Sequence, residues 1–481
     1  MFKNKKPSEF LRPLVPAFLH EKWESQLDQG FVAIDAVLTG QDERAQSLRM
    51  ALIAFCIRIV SALIAFLSQV LMARWLGSNE YGAFVWVWVA AVILGNLSCL
   101  GFPSASVKFI PQYRVKGDED SLRGIIFGAR GFVVTSSTII ALLGVLAALA
   151  LGELIPAIYS VPVLLATFCL PMLALGDSQN GIARAFNWSD LAFSPTYIYR
   201  PVLILVFMIA ALQMGMEASA TTAVIASIAA TWLTTMIQLL LMNRRVRREV
   251  NPGSRKISLR SWTVVAVPIF LVEASYVLFT SVDIMLVGIY LPPKDVGIYF
   301  AAAKTLALVH FVYFAIRAGV AHRYSQYYSA GANEQFESFV HDSTKWTFWP
   351  SLLMAALVLM SGHLLLSMFG SEFVDGYPLM FILVLGILAR ASIGPAESVL
   401  TMSGNQNVCA LVYGLTLFLN ILLNIMLIPK FGLYGAAVAT TLAMGFEAGA
   451  LYSLTLRRLG IHMFVLAKPP SLSSATARVE V

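Results

Sequence analysis

The chain has 481 residues, of which 58% are hydrophobic and 13% are charged, and its formal net charge is +7. A soluble domain carries roughly 25% charged residues, so this composition excludes a water-soluble globular protein. The sequence contains no P-loop, zinc-protease or paired-cysteine motif, and we therefore expect no enzymatic activity, no metal site and no bound cofactor.

The first 48 residues precede any long apolar stretch. They include Pro7, Pro13 and Pro16, and they lack the apolar core and small-residue cleavage site of a secretory signal peptide. We predict that residues 1–48 form a cytoplasmic N-terminal extension.

Twelve apolar stretches follow, each close to the length of about 20 residues that crosses the hydrocarbon core of a bilayer. They are the segments 50–73, 83–101, 124–149, 154–175, 195–212, 222–242, 262–290, 296–320, 346–369, 377–399, 408–428 and 432–456. Only helices and closed barrels satisfy their backbone hydrogen bonds within lipid. The lengths of these stretches therefore predict an all-α polytopic membrane protein with about 12 transmembrane helices.

Lys and Arg are concentrated on one side of these spans. With the N-terminus inside, 25 of the 34 Lys and Arg residues fall on inner segments, and three, Arg74, Lys294 and Lys430, fall on outer ones. Cytoplasmic loops are enriched in Lys and Arg, so we predict that both termini are cytoplasmic. The basic segment 244–261 is then a cytoplasmic linker that faces anionic lipid. No soluble module accompanies it, so we expect no nucleic-acid partner.

The two halves of the chain resemble each other at an offset of 215 residues. Segment 75–84 is similar to segment 290–299, and Gly82 matches Gly297. Six spans per half make a parallel repeat, as in transporters that open a central cavity alternately to each side. We therefore predict two six-helix lobes around a central cavity, with an N-lobe at 49–243, the linker at 244–261, a C-lobe at 262–457 and a cytoplasmic C-terminal tail at 458–481.

Ionisable side chains within the spans are costly in lipid and commonly face a cavity or a partner. Basic groups suit the phosphate oxygens of an anionic substrate, and the candidates are Arg58, Lys304, Arg317, Arg390 and Arg200. Glu273 and Asp283 are candidates for ion coupling or for pairing with basic residues. The alternative is structural, since Arg58 and Glu273, which the repeat offset pairs, would hold the lobes together.

Three segments carry a resemblance to a known family. Residues 68–82 are similar to the ARxLGxxxYG segment of Wzx-type polysaccharide flippases, which belong to the multidrug/oligosaccharidyl-lipid/polysaccharide (MOP) exporter superfamily. Residues 181–187 resemble the family's RAxxR-like turn without its second basic residue, and residues 424–437 resemble its NxxLIPxxGxxGAA stretch. The similarity extends over about residues 48–460, nearly the whole twelve-helix unit.

The resemblance implies a flippase that moves a polyprenyl-diphosphate-linked oligosaccharide across the bacterial inner membrane for polysaccharide biosynthesis. In that family the first, second, seventh and eighth helices line the cavity. The resemblance therefore implies that the cavity residues here are Arg58, Lys108, Glu273, Lys304 and Arg317. It also implies contact with membrane lipids, coupling to a proton or sodium gradient, and partnership with a polysaccharide polymerase and chain-length proteins.

Three alternatives stay open. A multidrug or organic-cation antiporter of the same superfamily would carry acidic cavity groups without the compensating Arg and Lys found here. A peptidoglycan-precursor flippase has two further helices. A non-transport subunit of a polysaccharide synthase complex would act as a scaffold. Movement of a labelled lipid-linked oligosaccharide, or efflux of dyes, discriminates among them.

Overall fold

The computed structural model describes residues 43–152, 156–330 and 333–467, with side chains from Val60 onward except at some positions between 311 and 333. It divides into two compact units, Met1–Ile64 and Ala65–Val481. In the first unit the described residues belong to the beginning of a long helix. The second unit contains the remaining helices and all of the features discussed below.

The first half of the chain ends at Glu249 and consists of helices. In chain order they are α1 (Glu43–Ser98), α2 (Phe102–Lys116), α3 (Glu119–Leu151), α4 (Ala157–Thr167), α5 (Leu170–Ala185), α6 (Ser189–Ser194), a π-helical turn (Pro195–Tyr199), α7 (Arg200–Gln213) and α8 (Ala220–Glu249).

The second half begins at Leu259 and is also helical. In chain order it contains α9 (Leu259–Phe279), α10 (Val282–Tyr290), α11 (Pro293–Ser329), α12 (Asn333–Phe369), a 3-10 turn (Ser371–Gly376), α13 (Tyr377–Ser392), α14 (Ala396–Met402) and α15 (Gln406–Leu459).

Nine helical stretches within the described ranges are long and apolar enough to cross a membrane, or ten if the α4–α5 pair, bent by 49°, counts as one. Helices α1 and α15 have 56 and 54 residues, and at about 1.5 Å per residue each exceeds twice the hydrocarbon thickness of about 30 Å. Each is interrupted at a glycine with positive φ, Gly77 (73°) and Gly432 (58°). The all-helical membrane fold is confirmed, and twelve crossings are compatible with it.

Several predicted spans differ from the structure, and 154–175 and 377–399 are each divided between two helices, α4 with α5 and α13 with α14. The predicted span 262–290 is broken into α9 and α10 at Thr280 and Ser281, where the backbone leaves the helical conformation. The predicted span 296–320 is part of α11, which continues to Ser329. Polar residues extend this helix beyond the apolar stretch, so hydropathy marks the crossing and not the helix end.

The helices run between two ends of the molecule. The Gly77 end contains the break at Gly77 and the start of α11, and the linker end contains residues 250–258. Helix α8 connects them, because the Ala220 N–H donates a hydrogen bond of 2.7 Å to Glu80 Oε2 near Gly77, and α8 ends at Glu249 beside the linker. The predicted topology puts the Gly77 end outside and the linker end in the cytoplasm.

Buried apolar side chains form three clusters. The shared core joins both halves at the Gly77 end, with Tyr81 and Val85 from the first half and Ile298, Phe300 and Phe373 from the second. The other two clusters draw on separate halves, except that the start of α9 enters the first-half cluster. The halves are therefore in contact at the Gly77 end, whereas each of the other two clusters lies mostly within one half.

Helix α3 holds the linker at the other end. Asp118 accepts a hydrogen bond of 3.0 Å from the Ser121 N–H, which caps the helix and lowers the pKa of that carboxyl. Arg123 donates to the carbonyl oxygens of Asn251 (2.6 Å) and Ser254 (2.8 Å). The linker thus lies against α3 through its backbone carbonyl oxygens, with the Arg255 guanidinium over the Phe127 ring as a further contact.

Candidate substrate cleft between the two halves

Lys304 lies on the face of α11 that faces the first half. Gly297 and Phe300 share this face, since residues three, four and seven apart align along a helix. Gly297 is packed against Gly82, and the Phe300 ring lies 6.3 Å from the Tyr81 ring. Lys304 is exposed, with Nζ 4.9 Å from the Phe300 centroid. Its ammonium therefore lies beside the contact between the halves, about two helical turns along α11 from Gly297.

Helices α2 and α9 bring a second cation and a carboxylate to the cleft. The Ser104 hydroxyl donates a hydrogen bond of 2.5 Å to Glu273 Oε1, which joins the two helices. Lys108 follows Ser104 by one turn, so the two residues share a face of α2, and its side chain is exposed. An ammonium and a hydroxyl-bonded carboxylate therefore lie near the α2–α9 contact.

Four charged side chains form an ionic chain within the second half. Arg390 lies 3.4 Å from both Glu397 and Glu447, measured from Nη2 to Oε2 and from Nε to Oε1, and Glu397 also pairs with Arg317. The Arg390, Glu397 and Glu447 side chains are 5, 6 and 0% exposed, whereas that of Arg317 is 39% exposed. The four charges alternate in sign and sum to zero. Among these four side chains, Arg317 alone is substantially exposed.

Lys304 and Arg317 lie on different faces of the same helix. They are 13 residues apart, and 3.6 residues per turn rotate them by roughly 220° relative to each other. Arg317 accordingly reaches α14 through Glu397, while Lys304 faces the first half. The structure therefore separates two basic residues that the sequence analysis placed together as cavity candidates.

Asp283 is buried at the start of α10. Its carboxylate accepts hydrogen bonds from the Tyr299 hydroxyl (2.8 Å), the Ile284 N–H (2.9 Å) and the Thr440 hydroxyl (3.4 Å). These hydrogen bonds join α10, α11 and α15 within the second half, and Lys304 is within electrostatic range of the carboxylate. The arrangement suits a structural role as well as it suits an ion site, and both interpretations of Asp283 stay predictions.

Arg58 lies within α1, but its side chain falls outside the described residues. Its predicted roles, as a phosphate ligand or as the partner of Glu273, stay predictions. The described partner of Glu273 is Ser104.

A polar cavity within the first half contains one predicted basic candidate, Arg200, but its other polar lining residues were not predicted. It has a volume of about 10 Å³, which accommodates about one water, and it is lined on its polar side by Asp177, Thr196, Arg200, Thr234, Thr235 and Gln238. The Asn96 amide donates a hydrogen bond of 3.3 Å to Asp177. The sequence contains a sign of this cavity, since Thr231, Thr234, Thr235 and Gln238 share one face of α8 at helical spacing.

Two family models match this chain. The model described as "Polysaccharide biosynthesis protein" matches residues 47–321, which is more than half of the chain. The MatE model matches residues 268–426. The two matches overlap over residues 268–321.

One curated relative matches part of the chain. It is named "Probable low-salt glycan biosynthesis flippase", comes from Haloferax volcanii, and is 29% identical over 171 residues. The match covers 34% of this chain and 35% of the relative, so the chain spans about a third of the relative's length.

Solved structures with the same fold are transporters. A multidrug resistance MATE family transporter in an inward-facing conformation has a TM-score of 0.69 at 12% identity, covering 83% of this chain and 94% of the other. The lipid II flippase MurJ in an inward closed conformation has a TM-score of 0.65 at 16% identity, covering 83% and 87%. These likenesses show that the chain shares the fold of these proteins, and together with its long apolar helices they support a multi-pass membrane protein.

Proposed function

Because the chain belongs to the family of polysaccharide biosynthesis proteins, we propose that it is a flippase for a lipid-linked oligosaccharide. The substrate would be carried on polyprenyl diphosphate and moved from the inner to the outer leaflet of the bacterial inner membrane. The name of the Haloferax volcanii relative is consistent with this proposal.

The position of Lys304 is the observation that carries the proposal. Its side chain is exposed on the face of α11 that meets the first half, about two helical turns from Gly297. A cation next to a low-dielectric wall attracts phosphate oxygens more strongly than the same cation in water. Lysine binds phosphate as a compact point charge. The cleft therefore offers a diphosphate group a place near its closed end.

The remaining candidates would act at different depths. Lys108, beside the α2–α9 contact, would meet the head group as it enters from the linker end. Arg317 is half-buried and neutralised by Glu397, so it would position helices and not bind substrate in this state. Arg390 is sealed between two carboxylates and would stabilise the second half.

Movement of the substrate would follow from rocking of the two halves. In the present state the halves are in contact at the Gly77 end, and the substrate would enter from the linker end, which the distribution of Lys and Arg predicts to be cytoplasmic. Opening of the Gly77 end and closure of the linker end would expose the same cations to the outer side. The polyprenyl tail would stay in lipid while the head group crosses in the cleft.

Reconstitution of the full chain tests this proposal. The purified protein would be placed in liposomes with fluorescent polyprenyl-diphosphate oligosaccharide, without ATP, and a quencher added outside would report label in the outer leaflet. We expect lipid movement well above that of protein-free liposomes. Absence of movement, under an imposed proton or sodium gradient as well as without one, would reject the proposal.

A multidrug antiporter is the second candidate, and the MatE match to residues 268–426 is the observation that favours it. The same liposomes loaded with cationic dyes distinguish the two functions. Gradient-driven dye efflux with no movement of the lipid-linked oligosaccharide would support the antiporter. The basic side chains in the cleft favour an anionic substrate instead.

A further inference from the structure

Two glycines bring the halves into backbone contact at the Gly77 end. A Cβ added at Gly82 would overlap the Pro293 carbonyl oxygen and lie 2.9 Å from the Gly297 nitrogen. A Cβ added at Gly297 would lie 2.8 Å from the Ser78 carbonyl oxygen. Both glycines are buried. Small residues allow two helix backbones to approach this closely within a membrane.

The contact is reciprocal under the internal repeat. At the offset of 215 residues, Ser78 corresponds to Pro293 and Gly82 to Gly297. Gly82 meets Pro293, and Gly297 meets Ser78. A contact in which residue i meets j and the equivalent of i meets the equivalent of j is the mark of a two-fold interface. The glycine pair therefore lies on the pseudo-two-fold axis that relates the halves.

Polar contacts surround the glycine pair. Arg74 Nε donates a hydrogen bond of 2.6 Å to the Met368 carbonyl oxygen in the last turn of α12, where cations are favourable. The Ser78 hydroxyl donates to Glu372. These contacts also join the first half to the second, so the Gly77 end is held by a compact set of groups.

We propose that Gly82 and Gly297 form the gate that closes the Gly77 end of the cleft. They act as positioning residues, since their missing side chains let the halves meet above Lys304. This inference rests on the proposed function, because the gate would retain the substrate head group until the halves rock. Separation of the two glycines opens the path to the outer leaflet.

Substitution of either glycine by alanine distinguishes a steric effect on the gate from an effect on helix stability. Alanine is the better helix former, so a substitution that only affected the helix would favour the present structure. The groups in the way at Gly82 and Gly297 are backbone atoms and cannot rotate aside. Gly82→Ala and Gly297→Ala should therefore both favour the open gate.

Accessibility of a cysteine in the cleft measures the gate directly. Ala307 is exposed about one turn beyond Lys304 on the cleft face of α11. Ala307→Cys would be placed in a background in which serine replaces Cys56, Cys99, Cys169 and Cys409. Intact cells would be treated with a membrane-impermeant maleimide, and Asn79→Cys, which is exposed near Gly77, would identify the side reached by the reagent.

We expect each alanine variant to raise the labelling rate of Ala307→Cys from the Gly77 side by about tenfold, equivalent to about 1.4 kcal/mol in the gate equilibrium. Gly131→Ala and Gly445→Ala are the matched controls, one in each half, because a Cβ there meets nothing within 4 Å. They should leave the rate unchanged. An unchanged rate in either gate variant, or an equal rise in the controls, would overturn the proposal.

Arg74→Ala covers the case in which the alanine variants fail to fold. It removes atoms from the gate and should also raise the labelling rate, whereas Lys430→Ala, at the exposed α15 turn, should not. The labelling requires no substrate. Raised labelling in a protein that moves no lipid would therefore reject the proposed function and retain the gate, and the reverse result would reject the gate alone.

Discussion

At the residue scale, the charged side chains within the spans differ in how far they are neutralised. Arg390 lies between Glu397 and Glu447, whereas Lys304 is exposed in the cleft with the Phe300 ring as its described contact. A buried charge without a partner is costly, and partners restore the balance. The basic residues of the spans thus divide into a buried group paired with carboxylates and an exposed group, including Lys304 near Asp283, that can meet an anion.

The sequence predicted that these charged residues face a cavity or a partner, but it did not predict which residues pair. Each charged residue was evident from its apolar surroundings. Arg390, Glu397 and Glu447 come from three different helices, and pairing among helices depends on their packing, which a single sequence does not contain. The opposite faces of Lys304 and Arg317 were predictable from helical periodicity.

Removal of Glu447 should destabilise the second half. Glu447→Ala leaves Arg390 buried with one carboxylate fewer, and breaking a buried pair costs about 3–5 kcal/mol. Thermal unfolding in detergent should show a clear loss. Asp190→Ala is the control, because its pair with Arg245 is exposed and should contribute about 0–1 kcal/mol. Equal effects of the two substitutions would contradict the structural role of the ionic chain.

Substitution of Lys304 should affect transport and not folding. Lys304→Ala removes the cation at the closed end of the cleft, and we expect at least about a tenfold fall in kcat/KM for lipid movement, since one charge-assisted hydrogen bond contributes about 1.5–3 kcal/mol. Lys304→Arg should keep most of the activity. Lys430→Ala serves as the control outside the cleft. Wild-type transport by Lys304→Ala would remove Lys304 from the site.

At the element scale, the break between α9 and α10 divides one predicted span between two environments. Helix α9 packs on α2, with Trp262 fully buried and its indole N–H donating a hydrogen bond of 2.9 Å to the Tyr113 hydroxyl. Helix α10 belongs to the second half through Asp283. Hydropathy predicted the span, but the break has no proline or glycine to mark it.

Loss of the Trp262 side chain should detach the start of α9. Trp262→Ala removes a fully buried ring, a change that costs about 3–5 kcal/mol, and should lower the melting temperature. Tyr113→Phe keeps the ring but leaves the indole N–H unpaired, for a smaller loss of about 1–3 kcal/mol. Trp349→Ala, an exposed tryptophan, is the control. A melting temperature of Trp262→Ala equal to that of the control would contradict this packing.

The linker should loosen when its arginine contact is removed. The Lys256 N–H donates a hydrogen bond of 3.0 Å to the Asp120 carbonyl oxygen, and Arg123 holds the residues before it. Arg123→Ala should accelerate hydrogen exchange of the peptide containing Lys256. Arg248→Ala, next to the linker, should not. Unchanged exchange in Arg123→Ala would show that the linker is held by other contacts.

At the scale of the whole molecule, the internal repeat predicted two related halves but not the end at which they are closed. The repeat offset indicated two related halves, and the shared core shows them closed against each other at one end. The sequence did not predict which end is closed, because two states of one transporter share the same hydropathy and repeat. That property depends on contacts between the halves, of which the Gly82–Gly297 contact is the most direct.

A structure of the full chain with bound polyprenyl-diphosphate oligosaccharide tests the central claim most directly. We expect the diphosphate between the halves, within hydrogen-bond distance of Lys304 Nζ, with the ionic chain of Arg390 intact. A diphosphate bound on the lipid-facing surface, or beside Arg390 with Lys304 uncontacted, would contradict a cationic cleft as the route of the substrate.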